Sequence, residues 1–339
     1  MSLIRSIGDV VGFLMYSVYI IIESIVRSLI PTKYKMKSVA GEIALVTGGG
    51  GGLGRLLSLR LADLGAIVIV WDINEAGIDE TVKLVRAAGG KCYGYVCDLC
   101  NREDVYKKAD LLKKEVGQVS LLINNAGIVT GKKFMETSDE LITRTMEVNT
   151  MAHFWTVKAF LPAMMEKNKG HIVSIASLAG HCGVPKLVDY CASKFAAVGF
   201  DEALRMELEA DGYTNIHTTV ICPYFIRATG MFEDVESRFL PTLSSNEVAD
   251  RVITAIRCNE KYAIVPGYLQ GLLAAKWIFP KDCESMLLRG LVGDVAPKPP
   301  IEPKKLPLDN QQGHEPSKDQ NGVLHQQLTR RVSSSERKP

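Results

Sequence analysis

A glycine run, TGGGGGLG at residues 47–54, constrains the fold of this chain more than any other feature. It follows the β-branched run IALV and precedes the amphipathic segment RLLSLRLADLG, which is not the setting of a flexible linker. Glycines permit a tight strand-to-helix turn and let the backbone approach a pyrophosphate, which the helix N-terminal amides then bind. Gly48, Gly52 and Gly54 follow the pattern T-G-x-x-x-G-x-G rather than G-x-G-x-x-G. With Leu53, they form the predicted cofactor loop.

Short β-branched runs alternate with amphipathic stretches from residue 42 to about residue 266. The runs are IALVTG, IVIVWD, KCYGYVCD, LLINNAG, HIVSIAS and IHTTVICP. This alternation is typical of βαβ units, in which helices cover both faces of a parallel sheet. We therefore predict an α/β protein with a Rossmann-type, doubly wound parallel sheet, formed by a single catalytic domain at residues 41–267.

An apolar N-terminal segment predicts attachment to a membrane. Residues 10–22 are uncharged, and the apolar character continues to Pro31. The segment is either a tilted signal-anchor or a helix lying in one leaflet, while a buried helix of the globular domain is the alternative. We expect an anchor at residues 1–31 and a basic linker at residues 32–40, whose lysines favour a cytosol-facing domain.

Two further segments follow the predicted domain. Residues 268–293 include the apolar stretch YLQGLLAAKWIFP, which could cap the substrate mouth, touch the membrane or pack on the core. Residues 294–339 are rich in Pro, Lys, Gln and Ser with few aromatic residues. Too little apolar surface is available there to offset the ordering entropy, so we predict a disordered tail.

Composition argues against several classes of function. The formal net charge is only +2 over 339 residues, so no strong field favours nucleic acid. The 8 cysteines are spaced irregularly in a long chain, which indicates reduced thiols rather than a disulfide framework. Cys97 and Cys100 have half of a zinc-site spacing, but no second pair matches them, so we expect no metal.

Several strand ends carry residues suited to a nicotinamide dinucleotide. Asp72 ends the second strand, where a carboxylate can bind both adenosine ribose hydroxyls and repel a 2′-phosphate, which favours NAD over NADP. Arg55 is the residue that could instead serve NADP. Asp98 ends the third strand, beside the expected adenine edge. Asn125, Ala126 and Gly127 end the fourth strand, where small residues let the backbone pass close to the cofactor.

Four residues form a candidate catalytic set. Tyr190 and Lys194 are four apart in DYCASKFAAVGF and share one helix face. Ser177 ends the strand HIVSIAS, and Asn149 lies on the helix before it. Oxidising a carbinol requires a base, so Tyr190 would take the proton while Lys194 and a nicotinamide charge lower its pKa. Ser177 would orient the substrate oxygen, and Asn149 would hold a relay water.

Taken together, TGGGGGLG, NNAG, the serine and YCASK resemble the short-chain dehydrogenase/reductase family over residues 41–267. The segments VAGEIALVTG, KAFLPAM and CPYFIRATGMF are similar to its membrane-bound retinoid and steroid branch. The resemblance implies an enzyme of the endoplasmic reticulum or lipid droplet that oxidises all-trans-retinol or a comparable lipid alcohol with NAD. It also implies cofactor contacts from Pro223 and a threonine. Here that threonine is Thr229, one position later than the family pattern, because Ala228 fills the usual place.

Three alternatives stay open at this point. A hydroxysteroid or other hydroxylipid dehydrogenase would use the same residues. A carbonyl reductase would run the reaction in reverse on NADPH. A lipid-droplet scaffold would keep the fold without turnover. A homodimer is the candidate assembly, and the predicted partners are a lipid alcohol or aldehyde and the membrane.

Overall fold

The computed structural model describes residues 2–227, 231–235, 241–276, 278, 280, 282–283 and 295–297. All of these residues belong to one unit, which spans residues 1–300.

A seven-stranded sheet forms the centre of this unit, with strand order β3-β2-β1-β4-β5-β6-β8 and every pair parallel. The strands are β1 (Ile43–Thr47), β2 (Ile67–Asp72), β3 (Lys91–Val96), β4 (Leu121–Asn124), β5 (Gly170–Ile175), β6 (Ile216–Pro223) and β8 (Tyr262–Val265). This architecture confirms the predicted doubly wound fold. Sequential order reverses between β1 and β4, and the crevice at such a switch point is where α/β sheets bind ligands.

Helices cover both faces of the sheet. They are α2 (Gly52–Asp63), α3 (Glu75–Ala87), α4 (Arg102–Glu115), α5 (Asp139–Met146), α6 (Ala152–Glu166), α7 (Val188–Ala210) and α8 (Ser245–Arg257). One apolar core joins α2, α3 and α8 to strand residues such as Val46 and Ile123. A second core joins α4, α6 and α7 to their neighbours Leu45 and Leu122 on the other face. Alternate strand residues thus enter opposite cores, so the sheet is buried on both sides.

The N-terminal helix α1 (Ser2–Leu29) has the length and composition to cross a membrane. Its apolar span, Gly8–Leu29, has a mean hydropathy of 1.8, and 0% of that window is buried. A helix of 22 residues is about 33 Å long at 1.5 Å per residue, close to the thickness of a bilayer core. Glu23 and Arg27 form an ion pair one turn apart. The alternative of a helix buried in the globular domain is therefore wrong.

Near the C-terminus, α9 (Leu269–Ala275) packs on a third apolar cluster, which also contains Tyr190. Leu269 is buried, and Lys276 donates to the carbonyl oxygen of His181 at 2.7 Å. Strands β7 (Phe232–Val235) and β9 (Val295–Pro297) form a separate antiparallel pair. Residues 298–339, the rest of the tail predicted to be disordered, lie outside the described residues.

Replacing Leu57 by alanine is expected to lower the free energy of unfolding by about 2–5 kcal/mol, because it leaves a cavity in the core beneath α2. The control is Leu84→Ala on α3, whose side chain is 42% exposed, and this change is expected to stay within about 1 kcal/mol. Denaturant unfolding of the full chain in detergent measures both variants. Equal losses in the two variants would contradict the assignment of Leu57 to the core.

Candidate active site and cofactor pocket

The glycine loop between β1 and α2 takes a conformation that side chains would obstruct. Gly48 and Gly52 have φ angles of 63° and 50°, in the left-handed region that favours glycine. A Cβ on Gly48 would lie 2.8 Å from the Cα of Ala126, and one on Gly54 would overlap the Gly48 carbonyl oxygen. The loop therefore lies directly against the segment that follows β4, as the sequence pattern requires.

Hydrogen bonds hold this contact in place. The side-chain amide of Asn125 donates to the carbonyl oxygens of Thr47 and Gly48 at 2.9 and 3.2 Å. The Thr47 hydroxyl accepts from the backbone amides of Asn125 and Ala126 at 3.0 and 3.1 Å. Sequence reasoning treated Thr47 only as the start of the glycine motif. Its position at the end of β1 could have indicated a polar contact with the segment that follows the neighbouring strand.

The first turn of α2 keeps its amides available to a ligand. Its N-cap is Gly51, and no side chain caps this end. By contrast, Asn74 and Asn101 cap α3 and α4 with their own side chains. The positive helix end and its backbone donors, near Gly52, Leu53 and Gly54, form an anion site. This feature and the close glycine packing fit the pyrophosphate of a dinucleotide.

Asp72 lies where the sequence predicts a ribose contact. Its Oδ2 accepts from the Gly50 amide at 2.9 Å, and its Oδ1 accepts from the Asn74 amide at 3.0 Å. These bonds fix the carboxylate beside the glycine loop. A carboxylate here favours free ribose hydroxyls over a 2′-phosphate.

The Arg55 guanidinium group forms an ion pair within the protein. Its Nη2 contacts Glu80 at 2.7 Å and the Gly50 carbonyl oxygen at 2.6 Å, while its Nε donates to the Thr81 hydroxyl at 3.0 Å. The cation that the sequence left available to NADP is therefore paired with Glu80 on α3. This pairing strengthens the case for NAD.

Asp98 lies in the loop after β3, where its Oδ1 accepts from the Cys100 amide at 3.0 Å. This turn gives the Cys97 to Cys100 spacing a structural role. Burial raises the pKa of both thiols to about 12, so both side chains are neutral. No cluster that could hold a metal ion occurs among the residues that the structure describes.

The structure brings Ser177, Tyr190 and Lys194 together. Tyr190 is 6% exposed and forms a hydrogen bond with the Ser177 side chain. The Lys194 ammonium group lies 5.6 Å from the Tyr190 ring centre and donates to the Ile175 carbonyl oxygen at 2.9 Å. Ser177 lies two residues after the end of β5, whereas Tyr190 and Lys194 are on α7. All three therefore lie at the carboxyl edge of the sheet.

Burial dominates the electrostatics of this group. It raises the pKa of Tyr190 to about 12, although the bond with Ser177 acts in the opposite direction. It also lowers the pKa of Lys194 to about 8. Both shifts favour the neutral forms, because charged groups lose hydration in an apolar interior. Burial is the largest cause of the raised Tyr190 pKa, and the expected lowering of this pKa by Lys194 stays a prediction.

Asn149 lies in a π-helical turn, Glu147–Met151, between α5 and α6. Its Oδ1 accepts from the Ile128 amide at 2.8 Å, and its Nδ2 donates to the Ile128 carbonyl oxygen at 2.9 Å. The same Nδ2 donates to the Ser193 hydroxyl at 3.0 Å, and that hydroxyl donates to the Tyr190 carbonyl oxygen. Asn149 thus braces the loop after β4 against α7. Its relay water stays a prediction.

Two buried residues beside Tyr190 were not predicted as part of the site. Ser193 links Asn149 to α7, as described above. The Asp189 carboxylate accepts from the Thr130 and Thr145 hydroxyls at 2.7 and 2.9 Å. Both residues lie within DYCASK, beside the predicted catalytic pair. Their hydrogen-bond partners come from distant parts of the chain, which the sequence does not reveal. These contacts hold the first turn of α7 in place.

Two further predicted cofactor residues lie at the end of β6 and in the loop after β4. Pro223 is the last residue of that strand, and its neighbour Tyr224 is 4% exposed. Gly127 lies close to both Asn149 and Lys194, because a Cβ there would be 3.4 Å and 3.5 Å from their polar atoms. Thr229 and Ala228 lie outside the described residues, so the shifted threonine stays a prediction.

Comparisons with known proteins agree with this geometry. A family model described as short chain dehydrogenase matches residues 42–238. The chain is 46% identical over 297 residues to short-chain dehydrogenase/reductase family 16C member 6 of Bos taurus, covering 86% of this chain and 93% of that protein. It is 46% identical over 272 residues to epidermal retinol dehydrogenase 2 of Homo sapiens, covering 79% and 87% of the two chains. It is also 43% identical over 281 residues to 17-beta-hydroxysteroid dehydrogenase 13 of Homo sapiens, covering 83% and 93%.

Solved structures give the same picture. A short chain dehydrogenase/reductase from Burkholderia phymatum in complex with NAD matches with a TM-score of 0.66 and 27% identity, covering 78% of this chain and 99% of that chain. A metagenomic short-chain oxidoreductase in complex with NADP matches with a TM-score of 0.58 and 25% identity, covering 67% and 96%.

Gly54→Ala is expected to weaken NADH binding by at least about tenfold, because the new Cβ overlaps the Gly48 carbonyl oxygen and displaces the loop. Gly199→Ala is the matched control and is expected to bind NADH normally, since this exposed glycine lies on α7 outside the loop and its Cβ would meet nothing within 4 Å. Fluorescence titration with NADH gives both dissociation constants. Unchanged binding by Gly54→Ala would show that the cofactor does not use this loop.

Proposed function

This chain belongs to the short chain dehydrogenase family, and we propose that its substrate is a lipid alcohol, foremost all-trans-retinol, which it oxidises to the aldehyde. Its general activity is that of an NAD-dependent oxidoreductase acting on CH–OH groups. The observation that carries the proposal is the buried contact between Ser177, Tyr190 and Lys194, at the sheet edge that also carries the glycine loop.

The roles of these side chains follow from their contacts. Bound NAD would supply the acceptor for the hydride of the carbinol carbon and a positive charge in the site. Tyr190 takes the hydroxyl proton of the alcohol, and that charge favours its phenolate form against the effect of burial. Ser177, which bonds to Tyr190, orients the substrate oxygen. Lys194, held by the Ile175 carbonyl oxygen, binds the nicotinamide ribose and adds its own charge.

The surroundings of Tyr190 support an apolar substrate. Its buried cluster includes Val129, Leu178, Val184 and Leu187, with the α9 side chains packed on the same cluster. An apolar environment of this kind beside Tyr190 would favour a hydrocarbon chain over a polar substrate. The relative named epidermal retinol dehydrogenase 2 makes retinol the first substrate to test.

A hydroxysteroid is the second candidate substrate. Relatives named 17-beta-hydroxysteroid dehydrogenase 13 and estradiol 17-beta-dehydrogenase 11 are 43% and 44% identical to this chain. The same apolar surroundings and the proposed role of Tyr190 as proton acceptor also suit a secondary steroid alcohol. Comparison of kcat/KM for retinol, estradiol and a fatty alcohol, each with NAD and NADP, distinguishes these substrates and also tests a reductase working on NADPH.

Tyr190→Phe is expected to lower kcat for alcohol oxidation by about 100-fold or more, because it removes the proton acceptor and keeps the ring packing. Tyr95→Phe is the matched control, since that hydroxyl bonds Glu115 away from the site, and it is expected to keep full activity. The assay follows NADH formation in membranes containing the full chain. Retinaldehyde production that survives Tyr190→Phe would favour a scaffold over an enzyme.

We also propose that α1 attaches the chain to the endoplasmic reticulum membrane or to lipid droplets, with the catalytic domain facing the cytosol. The exposed apolar surface of α1 supports attachment, since Phe13, Met15 and Ile21 are 69%, 70% and 58% exposed. The lysines that follow it support the cytosolic orientation. An anchored enzyme also meets a bilayer-dissolved alcohol at a raised local concentration.

Deletion of residues 1–31 is expected to move the protein from the membrane pellet to the soluble fraction, because it removes the exposed apolar helix. The truncated protein is expected to keep turnover of a water-soluble alcohol, since the apolar span of α1 is 0% buried. Ultracentrifugation and immunoblotting measure the distribution. A truncated chain that still pellets would move the anchoring role to residues 268–279.

A further inference from the structure

A cavity of about 430 Å³ lies at the edge of the sheet opposite the candidate active site. It opens among the amino ends of β1, β4, β5 and β6, beside the linker that follows α1. Its charged and titratable lining residues are Lys37, Glu42, Lys169, His171 and His217. None of these residues has a part in the dehydrogenase chemistry described above.

Hydrogen bonds define the state of the buried His171 ring. The Thr219 hydroxyl has one proton, which it donates to the Glu260 carbonyl oxygen at 2.6 Å. The Nε2 of His171, at 2.8 Å from the same hydroxyl, must therefore be the donor in that contact. The Nδ1 atom is then an acceptor, and it receives a proton from the Lys37 ammonium group at 2.9 Å. Lys37 thus uses one N–H on a neutral ring and keeps two for the cavity.

The two lysines that line the cavity differ in their partners, because within the part of the chain that the structure describes only one of them forms an ion pair with a carboxylate. Glu42 pairs with Lys169 at 2.6 Å and also accepts from the Ser120 hydroxyl, and these bonds hold its pKa below the usual value. Lys37 forms no ion pair with a carboxylate among the residues that the structure describes. Burial lowers its pKa to about 8, which indicates a poorly solvated cation. A half-buried ammonium group of this kind, held against a neutral ring, favours an anionic partner.

The backbone of Lys37 is held in place on the folded domain. Its amide donates to the Arg257 carbonyl oxygen at 2.7 Å, and the Arg257 Nε donates to the Lys37 carbonyl oxygen at 3.1 Å. These paired bonds fix the backbone of Lys37, and the contact with His171 then fixes its ammonium group. The cation is therefore preorganised on the cavity wall, unlike a lysine in a flexible linker.

We propose that this cavity is a binding site for a phosphate ester, with Lys37 and Lys169 as its charged ligands and His217 as a further hydrogen-bonding group. A compact anion with several acceptor oxygens suits two ammonium groups arranged around one cavity. Glu42 opposes an anion and shares the Lys169 ammonium group with it, so the net positive charge of the cavity lining comes from Lys37. The ligand can come from a lipid headgroup or from a soluble phosphate ester, and both present the same chemistry.

A lipid source is physically accessible. Lys37 follows the last residue of α1 by eight positions, which an extended chain spans within about 27 Å. The linker is partly folded, since residues Thr32–Tyr34 form a short helix, so the true separation is smaller. The cavity therefore lies within reach of the interface into which we propose that α1 inserts.

The first test is phosphate binding to the full chain in neutral detergent, by calorimetric titration with inorganic phosphate and with chloride at equal ionic strength. We expect saturable binding of phosphate that Lys37→Gln and Lys169→Gln each weaken by about tenfold or more. Lys167→Gln is the matched control, because Lys167 is exposed, lies two residues from Lys169 and does not line the cavity. NAD-dependent turnover of each variant verifies folding, since these lysines lie outside the catalytic group.

The second test distinguishes the two sources, using the thermal midpoint of the full chain in nanodiscs of phosphatidylcholine with or without phosphatidic acid. A midpoint raised by phosphatidic acid in the wild type but not in Lys37→Gln supports a lipid headgroup. Saturable phosphate binding without this nanodisc effect supports a soluble ester. Phosphate binding that is absent, or that Lys167→Gln weakens as much as Lys37→Gln, overturns the proposal.

Discussion

The close contact between the glycine loop and the end of β4 is the constraint on which the rest of this site depends. A side chain at Gly48 or Gly54 would meet backbone atoms, so the contact exists only because those positions lack a Cβ. Asn125 and Thr47 then fasten the two segments with four hydrogen bonds. The contact closes the crevice at the point where strand order reverses, and it leaves the first amides of α2 facing that crevice.

The catalytic group shows a second dependence, between burial and charge. The interior that excludes water from Tyr190 also raises its pKa, and the same interior lowers the pKa of Lys194. Packing therefore favours the neutral phenol of Tyr190. In the role that we propose for this residue, the positive charge of the oxidised cofactor would favour the phenolate and so link proton transfer to cofactor binding.

Much of the fold could be predicted because its signals are local. The β-branched runs, the glycine spacing and the Tyr190 to Lys194 interval each lie within one or two elements, and the parallel sheet follows from their alternation. The contacts that the sequence did not reveal join distant segments. Arg55 pairs with Glu80 across two helices, and Lys37 meets His171 across 134 positions. The burial that raises the pKa of Tyr190 is likewise a tertiary property, since it depends on the cluster around α7 and α9.

The attachment of the linker to Arg257 has a geometric consequence. The linker is held at the amino edge of the sheet, whereas Tyr190 and the glycine loop lie at the carboxyl edge. A five-residue strand such as β1 separates these edges by about 17 Å of stiff, hydrogen-bonded structure. Under the anchoring that we propose for α1, this separation is part of the distance that a lipid alcohol has to travel from a bilayer to reach Tyr190.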